Sequence, residues 1–184
     1  MTDESTALAG DIGGPPPIRV LFLCTGNSAR SQIAEALLLK KGGARFIVAS
    51  AGTTPADAVR PGAITALAKT GIDWSHARPK HLDRVASQPW DLVVTLCDQA
   101  RESCPAFTGR PVTAHWGIPD PALSIDRRRE KTAYDDTLAL LAWCIDLMLA
   151  LRPELLDKLV LEERLAALVT AHPPTGSSTP SESN

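Results

Sequence analysis

Cys24 and Arg30 are separated by five residues in the run Cys24-Thr25-Gly26-Asn27-Ser28-Ala29-Arg30-Ser31, which sets a nucleophile and an anion binder at the two ends of one short loop. That pairing suits attack on a tetrahedral oxyanion. Backbone N–H groups of such a loop converge on an anion, a helix N-terminus behind it adds partial positive charge, and the Arg30 guanidinium offers paired donors to two oxygens. The same groups favour thiolate over thiol at Cys24. Thr25, Gly26, Asn27, Ser28, Ala29, Arg30 and Ser31 are therefore the candidate substrate-binding residues. A random match to this spacing would usually be a core cysteine and a surface arginine. Here Val20-Leu21-Phe22-Leu23 precedes the loop as a buried strand and Ser31 to Leu39 follows it as a strong helix former, so the loop sits where a strand hands over to a helix. Taken alone, the loop leaves phosphate and arsenate equally open.

Attack on an oxyanion needs a group to protonate the departing oxygen, and Asp120 in Trp116-Gly117-Ile118-Pro119-Asp120-Pro121 is the candidate. It follows the last strand candidate, and a proline on each side would hold it stiffly. An Asp-Pro pair by itself reads as an ordinary turn; joined to the cysteine loop it reads as a general acid. Cys97 and Cys104 bracket Asp98 to Ser103, directly after the strand candidate that ends at Leu96. They are either two buried thiols or a redox pair. In a continuous helix their seven-residue separation would span about 10 Å, beyond the Cα limit of about 7 Å for a disulfide, so bridging them requires that segment to unwind. Cys144 lies among leucines in a helical stretch and reads as core. His76, His81, His115 and His172 show no ligand spacing with the cysteines, so a structural zinc site has little support, and no cofactor is expected.

The elements that must position these residues alternate. Strands are expected at Arg19 to Leu23, Phe46 to Ala51, Asp91 to Leu96 and Pro111 to His115, with helices at Ser31 to Lys41, Pro61 to Thr70 and His81 to Ala86. Such alternation implies an α/β fold in three layers, a mainly parallel four-stranded sheet between helices, with ligands beyond the carboxyl ends of its strands. A long helix is expected from Glu130 to Pro153, and a shorter amphipathic one from Glu154 to Val169, packed on the surface or against a second subunit. Polar, Pro- and Gly-rich composition makes 1–17 a flexible tail and 172–184 a disordered one, which leaves a domain over 18–151 and a helical extension over 152–171.

The chain has 184 residues, 44% hydrophobic and 22% charged, enough for one domain with a proper core. A net charge of −2 without a broad basic face excludes nucleic acid as an expected partner. No segment approaches the roughly 20 apolar residues of a membrane span. Met1 to Thr6 lacks the basic and apolar regions of an export signal, and four cysteines without a scaffold spacing suit a reducing compartment, so a cytoplasmic protein is expected.

With these marks assembled, the chain resembles the low-molecular-weight tyrosine phosphatase superfamily and, within it, the thioredoxin-coupled arsenate reductases. The resemblance covers about Ile18 to Leu151 and rests on Cys24 to Gln32, Ser50-Ala51-Gly52-Thr53, Thr95-Leu96-Cys97 with Cys104-Pro105, and His115-Trp116-Gly117 ahead of Asp120-Pro121. It implies Cys24 as nucleophile, Arg30 and the loop amides as anion binders, Ser31 as hydrogen-bond partner of the sulfur, Asn27 as loop stabiliser and Asp120 as general acid. It further implies a relay in which Cys97 attacks Cys24 to release arsenite and Cys104 then attacks Cys97, in the service of arsenic detoxification. Arsenate would be the substrate, phosphate or sulfate its analogues, and thioredoxin or a glutaredoxin-like protein the reductant. The protein would be a monomer or a homodimer through residues 154–169.

A tyrosine phosphatase would share Cys24, Arg30 and Asp120. Against it stand Gln32 where phosphatases usually carry proline, Ala122-Leu123 where they usually carry aromatic residues, and a thiol pair that hydrolysis does not use. Residual phosphatase activity on small esters is expected all the same. A route through a low-molecular-weight thiol would need only Cys24, and a module that merely binds oxyanions or senses redox state would need neither Asp120 nor the thiol pair.

Overall fold

The computed structural model describes residues 15–123, 127–153 and 157–168, so the tails expected over 1–17 and 172–184 lie outside the described residues except for the exposed Pro15 to Pro17. Strand β1 (Ile18–Cys24) is the centre of the molecule: Val20, Leu21, Phe22 and Leu23 are all fully buried, which requires cover on both faces of the pleat. Helix α1 (Arg30–Gly42) starts one loop later, and β2 (Phe46–Gly52) returns parallel to β1 with Cys24 opposite Gly52. Pro61 opens α2 (Pro61–Lys69) at the position where its missing N–H costs nothing. Then come β3 (Leu92–Thr95), the short α3 (Asp98–Glu102), β4 (Val112–His115), the long α4 (Arg127–Ala150) and α5 (Lys158–Leu168).

The sheet order is β2-β1-β3-β4, all parallel, with Leu23 opposite Thr95 and Thr95 opposite His115. The chain reverses its direction of winding between β1 and β3, and a ligand crevice opens beyond the strand ends at such a reversal. Cys24, Cys97 and the loop after His115 all lie at that end. Val20 and Phe22 face a core built with α1, α2 and α4, while Leu21 and Leu23 face a smaller one built from Leu82, Val85, Trp90 and Ala100. The expected three layers are therefore present.

One expectation differs in detail. In place of a helix from His81 to Ala86 there is a single 3-10 turn at Leu82–Arg84. His81 is held as an isolated bridge to Gly52, and the Val85 carbonyl accepts from the Trp90 indole at 2.8 Å, so an α-helix has neither its start nor its continuation. The amphipathic helix begins, among described residues, at Lys158, and its buried side is Leu161, Leu165 and Leu168, packed against β4 and α4. That side meets the chain's own sheet.

Cys144 is buried in α4, and desolvation pushes its thiol up to about 11 from an ordinary 9.0. Between those values the unfolded chain releases the proton and the folded chain keeps it, so stability falls as pH rises. Cys144→Ala should remove about 2 to 3 kcal/mol of the stability lost between pH 9 and 11, read from urea midpoints across that range.

Candidate active site

The loop between β1 and α1 owes its shape to peptide geometry. The carbonyls of Cys24, Thr25, Gly26 and Ser28 accept hydrogen bonds from the amides of Thr53, Thr54, Ala56 and Arg60, at 2.8 to 3.3 Å. In a planar trans peptide the N–H points opposite to the C=O, so the amides of Thr25, Gly26, Asn27 and Ala29 turn away from the segment that holds these carbonyls. Gly52 makes this possible. A Cβ there would stand 2.5 Å from the Thr25 carbonyl oxygen and 3.0 Å from the Asn27 nitrogen.

Asn27 takes a φ of 45°, which asparagine tolerates better than most residues. Its carboxamide is fully buried and uses every hydrogen-bonding position. Oδ1 accepts from the Lys80 amide at 2.8 Å and from Gln32 Nε2 at 3.2 Å, while Nδ2 donates to Ser31 Oγ and Ser50 Oγ, both at 2.8 Å. Two backbone- or amide-derived donors on one atom fix which end is oxygen. Ser31 Oγ, which accepts from Asn27, also lies 2.9 Å from Cys24 Sγ, where it is placed to donate to the sulfur whenever Cys24 is a thiolate. Ser50 Oγ in turn donates to the buried carboxylate of Glu35 at 2.5 Å, which lies 3.5 Å from the Lys80 ammonium.

Gln32, singled out above only because it is not proline, is buried and braced between the Trp74 indole and Asn27. Gln32, Glu35, Ser50, Gly52 and Lys80 are the residues whose roles sequence reasoning did not assign. Ser50 and Gly52 stood in a quoted run without a stated purpose, and Glu35 one turn beyond Ser31 carried a usable signal, a carboxylate on a helix that buries its start.

Arg30 is the first residue of α1, and its guanidinium is already engaged. NH2 lies 2.6 Å from Asp120 Oδ2 and NH1 donates to the Ile118 carbonyl at 3.1 Å. The expected anion binder and the expected general acid are therefore brought into direct contact. Asp120 Oδ1 also accepts from the Ala122 amide at 3.0 Å, and Leu123 beyond it is 80% exposed. An incoming oxyanion at this guanidinium meets the Asp120 carboxylate as a competing negative charge.

Cys97 stands at the N-cap of α3, with its sulfur 3.3 Å from the hydroxyl of Thr25, the neighbour of Cys24 in sequence. Thr25 Oγ1 also reaches Gln99 Oε1 at 3.1 Å. Cys104 follows the end of α3 and is packed under the sheet beside Ala100 and Phe107, where burial raises its thiol above the ordinary value. All four cysteines are free thiols. The loop, Arg30, Asp120 and Cys97 converge on one edge of the sheet, and Cys104 lies one short helix away. No cluster of three or more His, Cys, Asp or Glu side chains suited to a metal ion occurs among the described residues.

The family described as low molecular weight phosphotyrosine protein phosphatase matches residues 19–158. An arsenate reductase of Halalkalibacterium halodurans is 43% identical over 114 residues, which is 62% of this chain and 81% of that protein. Among solved structures, a thioredoxin-dependent arsenate reductase of Corynebacterium glutamicum is similar with a TM-score of 0.52 at 30% identity, covering 72% of this chain and 63% of that one. A low molecular weight protein tyrosine phosphatase from T. tengcongensis is similar with a TM-score of 0.58 at 27% identity, covering 70% of this chain and 95% of that one.

Asp120→Asn removes the charge that competes for Arg30. The variant should bind sulfate or phosphate about 5- to 30-fold more tightly in calorimetry, equivalent to about 1 to 2 kcal/mol for a charge-assisted contact, while turnover falls by about a hundredfold.

Proposed function

The chain belongs to the low molecular weight phosphotyrosine protein phosphatase family, and on that premise we propose that it reduces arsenate to arsenite with three of its own thiols and a thioredoxin-like reductant. One observation carries the choice of reduction over hydrolysis: Cys97 Sγ touches the Thr25 hydroxyl at 3.3 Å, which sets a second thiol at the lip of the Cys24 loop. A phosphatase has no use for a sulfur there.

In this reading the Cys24 sulfur attacks arsenic beside the loop amides, Arg30 holds two oxyanion oxygens, and Asp120 gives its proton to the oxygen that leaves as water. Cys97 then attacks Cys24 Sγ. The S–As bond breaks with its electron pair going to arsenic, so As(V) leaves as As(III) arsenite and a Cys24–Cys97 disulfide remains. Cys104 attacks Cys97, Cys24 departs as thiolate beside the Ser31 hydroxyl, and a Cys97–Cys104 disulfide is presented to the external dithiol.

The last step needs α3 to open. That is a small demand, because five residues are fewer than a helix needs to be stable by itself, and only a few hydrogen bonds hold it, among them Arg101 N–H to the Cys97 carbonyl at 3.1 Å and Ser103 N–H to the Gln99 carbonyl at 3.0 Å. The working unit in this proposal is 18–151, with 152–171 as an extension whose helix packs on the outer strand. A reducing compartment such as the cytoplasm suits three thiols that must start free. No helix among the described residues is long and apolar enough to cross a membrane.

With arsenate, thioredoxin, thioredoxin reductase and a reduced nicotinamide, the protein should consume nicotinamide in proportion to arsenate. Cys97→Ser and Cys104→Ser should each lower that rate by at least about a hundredfold. Full turnover in Cys104→Ser would point to a low-molecular-weight thiol route, and nitrophenyl phosphate hydrolysis without nicotinamide consumption would point to a phosphatase.

A further inference from the structure

We infer that Lys158, the first residue of α5, is a positioning residue for Cys104: its ammonium holds the far end of the segment that must move before Cys104 can reach Cys97. The inference rests on the thiol relay proposed above. The family match ends at residue 158, so α5 lies beyond the shared domain, and no step of the reaction as described so far uses it. Leu161, Leu165 and Leu168 bind the helix to the sheet, but its first side chain reaches elsewhere. Lys158 Nζ donates to the carbonyls of Gly109 and Arg110, at 3.3 and 3.2 Å.

Those two bonds matter because so little else holds the segment. The chain is fixed on one side at Leu96, whose amide donates to the Leu23 carbonyl at 2.8 Å, and on the other at Val112, whose amide donates to the Asp91 carbonyl at 2.9 Å. Between them, α3 closes with the amides of Ser103 and Cys104 bonded back to Gln99 and Arg101. From Pro105 to Arg110 the contacts of Lys158 are the only hydrogen bonds among the described residues. Every residue from Arg101 to Arg110 is exposed except Cys104 and Phe107, which pack against the smaller core.

The backbone at the held end is a corner. Gly109 and Arg110 have φ of 85° and 50°, a left-handed pair that suits glycine and is unfavourable for arginine, and one ammonium on both carbonyls keeps the two residues in it. Released, the corner is free to relax toward negative φ and pass slack back to Cys104. No hydrogen bond among the described residues holds the thiol itself, which borders a cavity of about 450 Å³ with Arg101, Pro105 and, from α5, Glu162 and Ala166. Control therefore acts on the backbone beyond the sulfur. When attack requires a local opening, its rate is proportional to the open fraction, so contacts made only in the closed form slow it. The exchange gated in this way is the one already described: Cys104 gives its proton to water, its thiolate bonds to Cys97 Sγ, the Cys24–Cys97 bond breaks, and Cys24 leaves with the electron pair.

The first measurement needs no arsenate. In the reduced full-length protein, Lys158→Met should raise the rate of Cys104 alkylation by iodoacetamide about threefold to tenfold, as expected for the loss of exposed charge-assisted hydrogen bonds, and Lys158→Arg should restore most of the wild-type rate. Cys144 is the control, because only wider unfolding exposes it, and its alkylation should not change. The second measurement follows disulfides by quenched alkylation and peptide mass mapping after a single addition of arsenate without thioredoxin. Lys158→Met should release the same burst of arsenite as the wild type and form the Cys97–Cys104 disulfide faster by the same factor. Unchanged alkylation of Cys104, a parallel rise at Cys144, or a wild-type rate of Cys97–Cys104 formation in the variant would overturn the assignment. Arsenite release by the wild type with no Cys97–Cys104 disulfide at any time would overturn the relay and with it the purpose of this hold, and is distinguishable because it is seen in the unaltered protein.

Discussion

The fully buried carboxamide of Asn27 is the constraint on which the site depends. An unpaired amide in that position would cost several kcal/mol in desolvation, so its four hydrogen bonds are as binding on its neighbours as covalent links. They tie the loop to the strand that carries Ser50, to the segment that carries Lys80, and to Gln32 and Ser31 in the first turn of α1. The series ends at Ser31, whose hydroxyl lies 2.9 Å from the Cys24 sulfur. Reactivity at one atom is thereby connected to charge at Glu35 and Lys80, two residues that never meet the substrate.

The opposite wall of the site works by competition. Arg30 gives two of its N–H donors to Asp120 and the Ile118 carbonyl, which keeps a nearly buried guanidinium paired. In the reaction proposed above, the same contact would set an arriving oxyanion against the charge of the carboxylate assigned as general acid.

How much of this was legible depended on the range of the interaction. The strands and the Cys24 loop announce themselves locally, through apolar runs and a glycine-containing turn, and so do α1, α2 and α4. Asp120 was readable because a proline on each side marks a stiff turn after a strand. Lys80 was not, because it reaches Glu35 from forty-five positions away and nothing in Pro79-Lys80-His81 says which carboxylate it will find. Gln32 could be seen as a departure from a pattern, but its brace against Trp74 is a matter of packing between distant segments. The short 3-10 turn at Leu82–Arg84 defeated periodicity for the same reason: the Val85 carbonyl is claimed by the Trp90 indole, and tertiary demand overrode local preference.

The relay proposed above would have to be protected from surplus sulfur. Cys144 is the fourth thiol, and it lies on α4 rather than at the strand ends near Cys24 and Cys97. Its proton is held so firmly by burial that the nucleophilic form is scarce at any pH the cell reaches. Access is closed as well, since it is packed among residues of the main core. The sulfur that does nothing is thus insulated twice, by acidity and by contact, and scrambling into a dead-end pairing is suppressed without any device beyond ordinary hydrophobic packing.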